Sequence, residues 1–469
     1  MAASTWIPPT LPECNDYDGA VLLDLRCCTA DFRNATTASG ATSRGRPIQV
    51  TFRAARPPLL CCLCVHCPGL DVFRIRPRVV ATDADLVLLR VPININACLD
   101  VEPWDYFVYT PRAHRLDLLP NPYPMFFRDS AATLSREDGA WYAIAAISSW
   151  CPVYEGSSKS ITRWDFSLHL DKLLPLPAAA SNGAEDDDDV PLYHKTSKTL
   201  SVGGERGTVA WVDLWRGILL CDLLGGRQPM VFQDIPLPMP ARGNMGRFLQ
   251  QCEPNFIRDV AITRHKDTIK FVEMEIWPQK RQTQHVIPGG WKATTWSMPI
   301  PPLPVVGSFA DWQCDCEAQI GDVTSDPHHW NLLSKLSGSN ATPALQKEEL
   351  FTAYPTISID DDDIVYFAHS NDINLLERLE LVIAVDVRNK TLRGVAEIDV
   401  QKKNFILMPV FYTSDIRRHL RKTTAGTSHL QNIITRKKVS TRAEDDGAGV
   451  VTEQHSSSSN SIQSRSICI

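Results

Sequence analysis

The chain has 469 residues, 43% hydrophobic and 22% charged, and its net charge of −6 argues against a nucleic-acid footprint spread over the whole protein. Its longest apolar run, residues 59–70, is shorter than the roughly 20 residues that a membrane-spanning helix needs, and no secretory signal is recognisable. We therefore expect a protein of the cytoplasm or nucleus that has no membrane or nucleic-acid partner. Its 14 cysteines are then expected to be reduced thiols.

The N-terminal half consists of short apolar or alternating segments separated by polar ones. We expect an extended lead over residues 1–18, a loop in the Ser/Thr/Gly-rich segment 36–45, and a solvated loop in the acidic segment 181–190. Alternation and β-branched content predict strands at 19–25, 47–55, 59–66, 86–91, 106–110 and 140–147.

The segment 207–224, "GTVAWVDLWRGILLCDLL", is apolar on almost every side. A membrane segment is excluded by Asp213, Arg216 and Asp222, and a helix is disfavoured because Gly217 would lie in its middle. Residues 209–214 alternate with period two, and a second apolar run of strand length follows Gly217. The segment is therefore predicted to be a β-hairpin.

Similar strand–turn–strand patterns recur in the sequence at 106–120, 269–302 and 357–398, at irregular spacing. Radial repetition protects strand edges, so we predict a mainly β, irregular propeller-like domain over residues 19–422, with a pair of two-sheet sandwiches as the alternative. Short helices are predicted at 243–252, 326–336 and 414–422, the second of them opened by Asp326 and Pro327. The Ser-rich tail, residues 423–469, is expected to be disordered.

Four segments of the chain together resemble the DUF1618 family, a domain of unknown function expanded in grasses. They are "WVDLWRGILLCDLL" (211–224), "IPLPMP" (235–240), "IRDVAITRHKDTIKFVEMEI" (257–276) and "GWKATTWSMP" (290–299). Segments 43–69 and 105–120 are also similar to full-length members, so the resemblance spans roughly residues 20–420, with its core at about 207–345.

The resemblance implies a plant protein with no established activity and no agreed catalytic residues. The order of its strand-like segments is similar to that of the domains associated with F-box proteins. Within the family core, the residues that carry the resemblance are Trp211, Asp213, Trp215, Gly217, Cys221 and Asp222.

Several cysteines offer a weak candidate for a metal site. Cys61, Cys64, His66 and Cys67 lie close together in the sequence, and thiolates and imidazoles suit zinc. A second ligand pair at a defined spacing is missing, however. On a strand, Cys62 and Cys64 face one side and Cys61 the other, which favours small apolar residues in a buried strand, and no cofactor is expected.

The remaining chemical candidates favour structural roles. Asp213 and Asp222 could form a carboxylate pair, but aspartates near strand ends more often accept backbone N–H groups. His328 and His329 are adjacent, so they do not share a helix face, and the acidic run 360–363 is predicted to be a hairpin turn. The tryptophans are expected in the core between sheets: Trp211, Trp215, Trp277, Trp291 and Trp296.

No nucleotide-binding, hydrolase-elbow or zinc-protease motif occurs in the sequence. Two hypotheses follow. The first, which we favour, is a non-catalytic β-scaffold whose loops bind a protein or peptide. The second is an enzyme or small-ligand binder that uses a central channel lined by Asp, His or Cys side chains. The partner, the ligand and the oligomeric state are not encoded in any recognisable motif.

Overall fold

The structure is a computed structural model that describes part of the chain. The described residues are 17–68, 76–93, 104–119, 131–136, 141–146, 194–224, 232–245, 253–278, 288–301, 311–329, 333, 351–360, 362–370, 381–398, 411–421 and 464–468. Within them, no helix is both long and apolar enough to cross a membrane.

The described strands form six sheets, four of which have four antiparallel strands in chain order. The first of these contains β6 (Arg78–Asp83), β7 (Leu86–Pro92), β8 (Trp104–Thr110) and β9 (Arg115–Leu118). The second contains β12 (Lys198–Gly203), β13 (Thr208–Asp213), β14 (Gly217–Asp222) and β15 (Phe232–Pro236).

The other two four-stranded sheets follow the same plan. One contains β16 (Arg258–Ile262), β17 (Thr268–Pro278), β18 (Pro288–Pro299) and β19 (Gln313–Gln319). The next contains β20 (Phe351–Ile357), β21 (Ile364–Ser370), β22 (Leu381–Asp386) and β23 (Thr391–Glu397).

A fifth sheet joins the two ends of the domain. Its order is β24-β1-β5-β4-β3, with β2 also paired to β5. Because β24 lies antiparallel to β1, the last strand of the ring is hydrogen-bonded to the first. The strands are β1 (Val21–Asp24), β2 (Cys28–Thr29), β3 (Ala38–Ala41), β4 (Pro47–Arg53), β5 (Leu60–His66) and β24 (Phe411–Ser414).

The sixth sheet contains β10 (Ala131–Arg136), β11 (Trp141–Ala146) and β25 (Ser464–Cys468), which lies parallel to β11. Within the tail that we expect to be disordered, the structure therefore describes one short strand. The acidic segment 181–190 and the extended lead up to residue 16 lie outside the described residues.

The first strands of successive sheets pack side by side around a common centre. β6 contacts β10, β10 contacts β12, β12 contacts β16, β16 contacts β20, and β20 contacts β24. The chain is thus mainly β and propeller-like, as the sequence predicts. Apolar side chains fill the spaces between neighbouring sheets; for example, the ring centroids of Trp291 on β18 and Phe367 on β21 are 4.6 Å apart.

The predicted strands and the hairpin at 207–224 are confirmed, but the loop predicted at 36–45 is partly wrong. Ala38–Ala41 forms β3 and pairs with β4, because cross-strand pairing at the sheet edge outweighs the weak strand propensity of "ASGA". Helix α1 (Arg242–Met245) overlaps the start of the helix predicted at 243–252, and α2 (Ile416–Arg421) lies within the one predicted at 414–422.

Candidate functional site

A cavity of about 80 Å³ lies at the centre of the ring. Its walls come from the first strands of the sheets, namely β6, β12, β16 and β24, and from the turns that follow them. The charged and hydroxyl side chains that line it are Thr82, Asp83, Lys198, Thr199, Ser201, Thr263, Arg264, Lys266, Tyr412, Thr413, Ser414 and Asp415. Leu200, Ala261, Ile262 and Ile359 complete the lining, so the centre of the ring is a channel with both polar and apolar walls.

Lys198 divides this channel into two chambers. It lines both the main cavity and a second, smaller one of about 20 Å³ that is formed on the other side by Arg258, Asn255 and Phe411. Lys198 Nζ donates to Asp259 Oδ1 at 2.6 Å and lies 5.5 Å from the centre of the Tyr412 ring. Both members of the ion pair have side chains that are 10% exposed, so the barrier is nearly dry.

The wider chamber opens between turns whose charges are also paired. Lys266 on the β16–β17 turn donates to Asp83 on β6 at 2.8 Å, which links two sheets that are far apart in sequence. Arg264 lies 3.5 Å from Asp360, which belongs to the β20–β21 turn. Asp415 contacts His419 at 3.1 Å, and this contact, together with Lys266, lowers the Asp415 pKa against the opposing effect of burial.

Three buried carboxylates have both oxygens engaged, and two of them, Asp83 and Asp259 at the channel, link different sheets. Asp259 accepts from Lys198 with one oxygen and from the backbone N–H of Ile357 with the other, at 3.0 Å. The same two-sided pattern holds for Asp83, which accepts from Lys266 and Ser135 N, and for Asp213, which accepts from Trp215 N and Lys195 N.

One charge pair is completely enclosed. Arg258 on β16 is 0% exposed and Glu273, its register partner on β17, is 2% exposed by side chain. Arg258 donates to Glu273 Oε1 and to the carbonyl of Leu214, at 3.1 and 3.0 Å. Its guanidinium carbon also lies 5.0 Å from the centre of the Trp215 ring. Burial lowers the pKa of Arg258, while the adjacent carboxylate of Glu273 opposes this shift.

The family-core residues occupy the hairpin of β13 and β14. Trp211 is fully buried, Trp215 covers Arg258, and Gly217 faces Asp213 across the turn. A Cβ on Gly217 would lie 2.6 Å from the backbone oxygen of Ile235, so only glycine fits beside β15. These residues build the junction between sheets, as the prediction of a structural hairpin implies.

Asp213 and Asp222 are not brought together as a carboxylate pair. They stand at opposite ends of the hairpin, Asp213 opposite Gly217 and Asp222 opposite Thr208. Asp222 accepts from the Thr208 hydroxyl at 2.6 Å. Burial raises the pKa of Asp213, and burial also raises the pKa of the Cys221 thiol to about 12, which keeps that thiol protonated.

The candidate ligands Cys61, Cys64, His66 and Cys67 do not converge. Cys61 and Cys67 lie in the core on one face of the β5 sheet, where the Cys61 thiol contacts the backbone of Ala55. Cys64 faces the other way and meets two different cysteines: Cys28, Cys62 and Cys64 are buried, with their three sulfur atoms within 4.8 Å of one another. Neighbouring thiols and burial raise the pKa of Cys64.

The remaining predicted residues have structural surroundings. Asp326 caps the helical turn at 327–329 by accepting from His329 N at 2.8 Å. Trp291 is buried, and the ring of Trp296 on β18 stacks on Phe271 at 5.1 Å. Trp277 is half-buried on β17. The described residues of the acidic run 360–363 lie between β20 and β21, which confirms the predicted hairpin turn.

The channel residues were missed by sequence reasoning. Lys198 is 61 positions from Asp259, and Lys266 is 183 positions from Asp83, so only the packing of sheets around the ring places these partners together. Arg258 and Glu273 did carry a signal, because each is a charged residue within a strand of buried neighbours. Cys28 also carried a sequence signal. One hairpin separates its strand from the cysteine-rich strand β5, and it pairs with β5 in the sheet.

Comparison with known proteins supports the resemblance. No curated protein matches the chain. Residues 211–366 match the model of a family described as a protein of unknown function, DUF1618. The match begins within β13 and ends within β21, so it includes the Gly217 turn, the Arg258–Glu273 pair and the whole sheet β16–β19. Over residues 211–366, the chain is therefore similar to the DUF1618 family, as the sequence resemblance indicates.

Proposed function

We propose that the chain is a non-catalytic β-scaffold of the plant cytoplasm or nucleus that binds another protein or a peptide. The observation that carries the proposal is the double engagement of two carboxylates at the channel. Asp83 and Asp259 each use both oxygens to hold different sheets of the ring together. The nine cysteines that the structure describes as free thiols fit a reducing compartment.

A general acid or base must be free to contact a substrate and exchange a proton with it. A carboxylate that is clamped on both oxygens by a backbone N–H and a second donor would have to release a structural contact first. The charges of the channel thus favour rigidity, and a rigid ring is what positions loops for recognition.

The mouth of the wider chamber is the face that we assign to the partner. Its turns project charges from short hairpins, and His265 is exposed beside the half-buried Arg264. Charged groups fixed on rigid turns give specificity and a fast encounter with a partner of complementary charge. Arg264 and Lys266 are paired with Asp360 and Asp83, and an acidic segment of the partner would compete with these carboxylates for the two cations.

The proposal is tested by affinity capture from plant extract, read by quantitative mass spectrometry. The bait is the tagged full chain, compared with the double variant Arg264→Glu/His265→Glu and with a control, Arg33→Glu, which reverses an exposed charge on a different surface loop. A chain ending near residue 423 tests the contribution of the tail.

A stoichiometric partner that is retained by Arg33→Glu and lost by the double variant would support both the function and the surface. A partner retained by every variant would support the scaffold and reject the mouth as its surface. Absence of any stoichiometric partner from all baits would overturn the proposal.

The cavity itself supports a second candidate, a binder of a small polar molecule. The cations of Lys198, Lys266 and Arg264 and the carboxylates of Asp83 and Asp415 line the same space of about 80 Å³, with Lys266 paired to Asp83. A zwitterion or a small anion would suit this lining. Thermal-shift screening of the wild type and of Lys198→Met against such compounds is the test: stabilisation of the wild type alone would favour this candidate.

A further inference from the structure

Three cysteines that are distant from the channel form a cluster of their own. Cys28 lies on β2, and Cys62 and Cys64 lie on the same face of β5, where Cys28 and Cys64 are register partners. The sulfur atoms of Cys28 and Cys62 are 3.3 Å apart, and all three sulfurs lie within 4.8 Å of one another. All three residues are buried, at 3%, 5% and 1% exposure.

The size of the sulfur triangle fits a single metal ion. A Zn–S bond is about 2.3 Å long, which sets the sulfur–sulfur separation at roughly 3.8 Å in a tetrahedral site and roughly 4.0 Å in a trigonal one. The 3.3 Å between the sulfurs of Cys28 and Cys62 is shorter than these values by roughly half an ångström, and none of the three separations exceeds 4.8 Å, so small side-chain adjustments suffice for the sulfurs to bind one ion together. Soft thiolates select Cu(I) and Zn(II) among biological metals.

The surroundings of the cluster suit thiolates. Arg53 on β4 is the register partner of Cys62, so its side chain leaves the sheet on the same face. Arg53 is 6% exposed, and its guanidinium carbon lies 4.9 Å from the centre of the Phe32 ring. A buried cation beside the cluster offsets the negative charge that three thiolates would bring.

Phe32 provides the cover and an entry path. It packs against the three cysteines and is itself only partly buried. The neighbouring Asp31 and Arg33 are exposed, so the cluster lies one side chain below the surface. Rotation of Phe32 would open the site to an ion, and its return would exclude water.

The opposite face of β5 shows what cysteines do when they only fill a core. Cys61 lies among Val, Leu and Phe side chains, and its sulfur is within 3.3 Å of the Ala55 backbone oxygen. Cys62 and Cys64 instead form a separate small cluster whose buried members are all cysteines. Two faces of one strand thus carry cysteines in two distinct arrangements.

We propose that Cys28, Cys62 and Cys64 bind one thiophilic d¹⁰ metal ion, Cu(I) or Zn(II), as a three-thiolate site that ties β2 to β5. Each coordinated thiol releases its proton to solvent, so no oxidant or reductant is needed. The ion cross-links the short strand β2, which is only two residues long, to the centre of the closing sheet.

The test uses the reduced, metal-free full chain under anaerobic conditions, loaded separately with Zn(II) and with Cu(I). After desalting, the metal content is measured by mass spectrometry and the affinity by competition with a chromophoric chelator. We expect one ion per chain with at least one of the two metals. Cys28→Ser, Cys62→Ser and Cys64→Ser should each weaken binding by roughly tenfold or more.

Cys61→Ser is the matched control, since it changes the adjacent residue on the other face of the same strand and should leave the affinity unchanged. Because a variant could also lose its fold, a second measurement uses the wild type alone. At a urea concentration where these three buried thiols of the metal-free chain are alkylated, the bound ion should protect Cys28, Cys62 and Cys64, as read by peptide mass spectrometry, and should leave Cys314 reactive.

Absence of stoichiometric metal for both ions would overturn the proposal. Protection that maps to other cysteines, or affinity that survives all three substitutions, would overturn it equally. Either failure leaves the proposed function untouched, because the cluster lies in the closing sheet and the partner surface lies at the channel mouth.

Discussion

Two ion pairs of the ring lie in opposite surroundings. Arg258 and Glu273 are sealed between β16 and β17 under the ring of Trp215, and neither side chain exceeds 2% exposure. Lys266 on the β16–β17 turn meets Asp83 at the end of β6, and the lysine side chain is 34% exposed whereas the carboxylate is 4% exposed. The first pair joins two neighbouring strands of one sheet, whereas the second joins two sheets that face each other across the cavity.

The difference shows how the ring separates stability from recognition. A buried pair cannot be broken without leaving a charge in a low-dielectric interior, so the Arg258–Glu273 pair constrains its sheet strongly. The Lys266–Asp83 pair is exposed on one side only: solvent can replace Asp83 at the lysine, but the carboxylate is 4% exposed and, among the donors that the structure describes, would keep only the N–H of Ser135. Charges on the exposed turns can therefore change while the buried carboxylates hold the scaffold together, which is the property that a binding surface needs.

Of the substitutions that test this comparison, Arg258→Met is expected to have the largest effect on stability. It leaves the Glu273 carboxylate buried with Asn244 and the N–H of Ala241 as its remaining donors, and it should lower the free energy of unfolding by about 3–5 kcal/mol. Urea unfolding measures the change. The double variant Arg258→Met/Glu273→Gln should recover part of the loss, and a double variant as unstable as the single one would contradict the stranded-charge explanation.

Lys198→Met tests the pair that divides the channel and should have an intermediate effect. Asp259 loses Lys198 but keeps the Ile357 N–H, so we expect a loss of about 1–3 kcal/mol. A double-mutant cycle with Asp259→Asn isolates the coupling between the two side chains. A loss as large as that of Arg258→Met would mean that the channel is as closed to water as the sheet interior.

The sequence predicted individual strands better than the site, and the reason is the range of the interactions. The hairpin at 207–224 and the strand at 59–66 follow from local alternation and turn chemistry. The edge strand β3 was missed because only its pairing with β4 makes "ASGA" extended. Likewise, Lys266 and Asp83 are 183 positions apart, and no periodicity brings such residues together before the ring closes.

His194 extends the comparison to pH. Its Nε2 atom is buried without a hydrogen-bond partner, and burial, with Arg216 nearby, lowers the pKa of the ring from 6.5 to about 3. Between these two values the unfolded chain binds a proton that the folded chain does not. Stability is therefore complete above pH 6.5 and falls as the pH decreases towards 3, by at most ~1.4 kcal/mol per pH unit.

The contribution of His194 is measured by urea unfolding of the wild type and of His194→Gln at several pH values from 7 to 5. The difference between the two profiles cancels the carboxylates common to both, including Asp213 and Asp234, whose pKa values are raised by burial. Substitution should flatten the profile below pH 6.5. Parallel profiles would show that the imidazole is as accessible to protons in the fold as in the unfolded chain.

Lys390 represents the exposed extreme, and its substitution should have the smallest effect. Its Nζ lies 3.0 Å from Asp322, with both side chains about half exposed, so Lys390→Ala should cost less than about 1 kcal/mol. The backbone adds a second test, because Lys390 has φ of 51°, a left-handed conformation that glycine adopts more easily. Both Lys390→Gly and Lys390→Ala remove the ion pair with Asp322, and the glycine variant should be no less stable than the alanine variant in urea unfolding. The contradicting result would be a loss of several kcal/mol for Lys390→Ala that vanishes at high salt. Exposed ion pairs would then stabilise the ring as strongly as the buried pair does, and stability would not be separate from recognition.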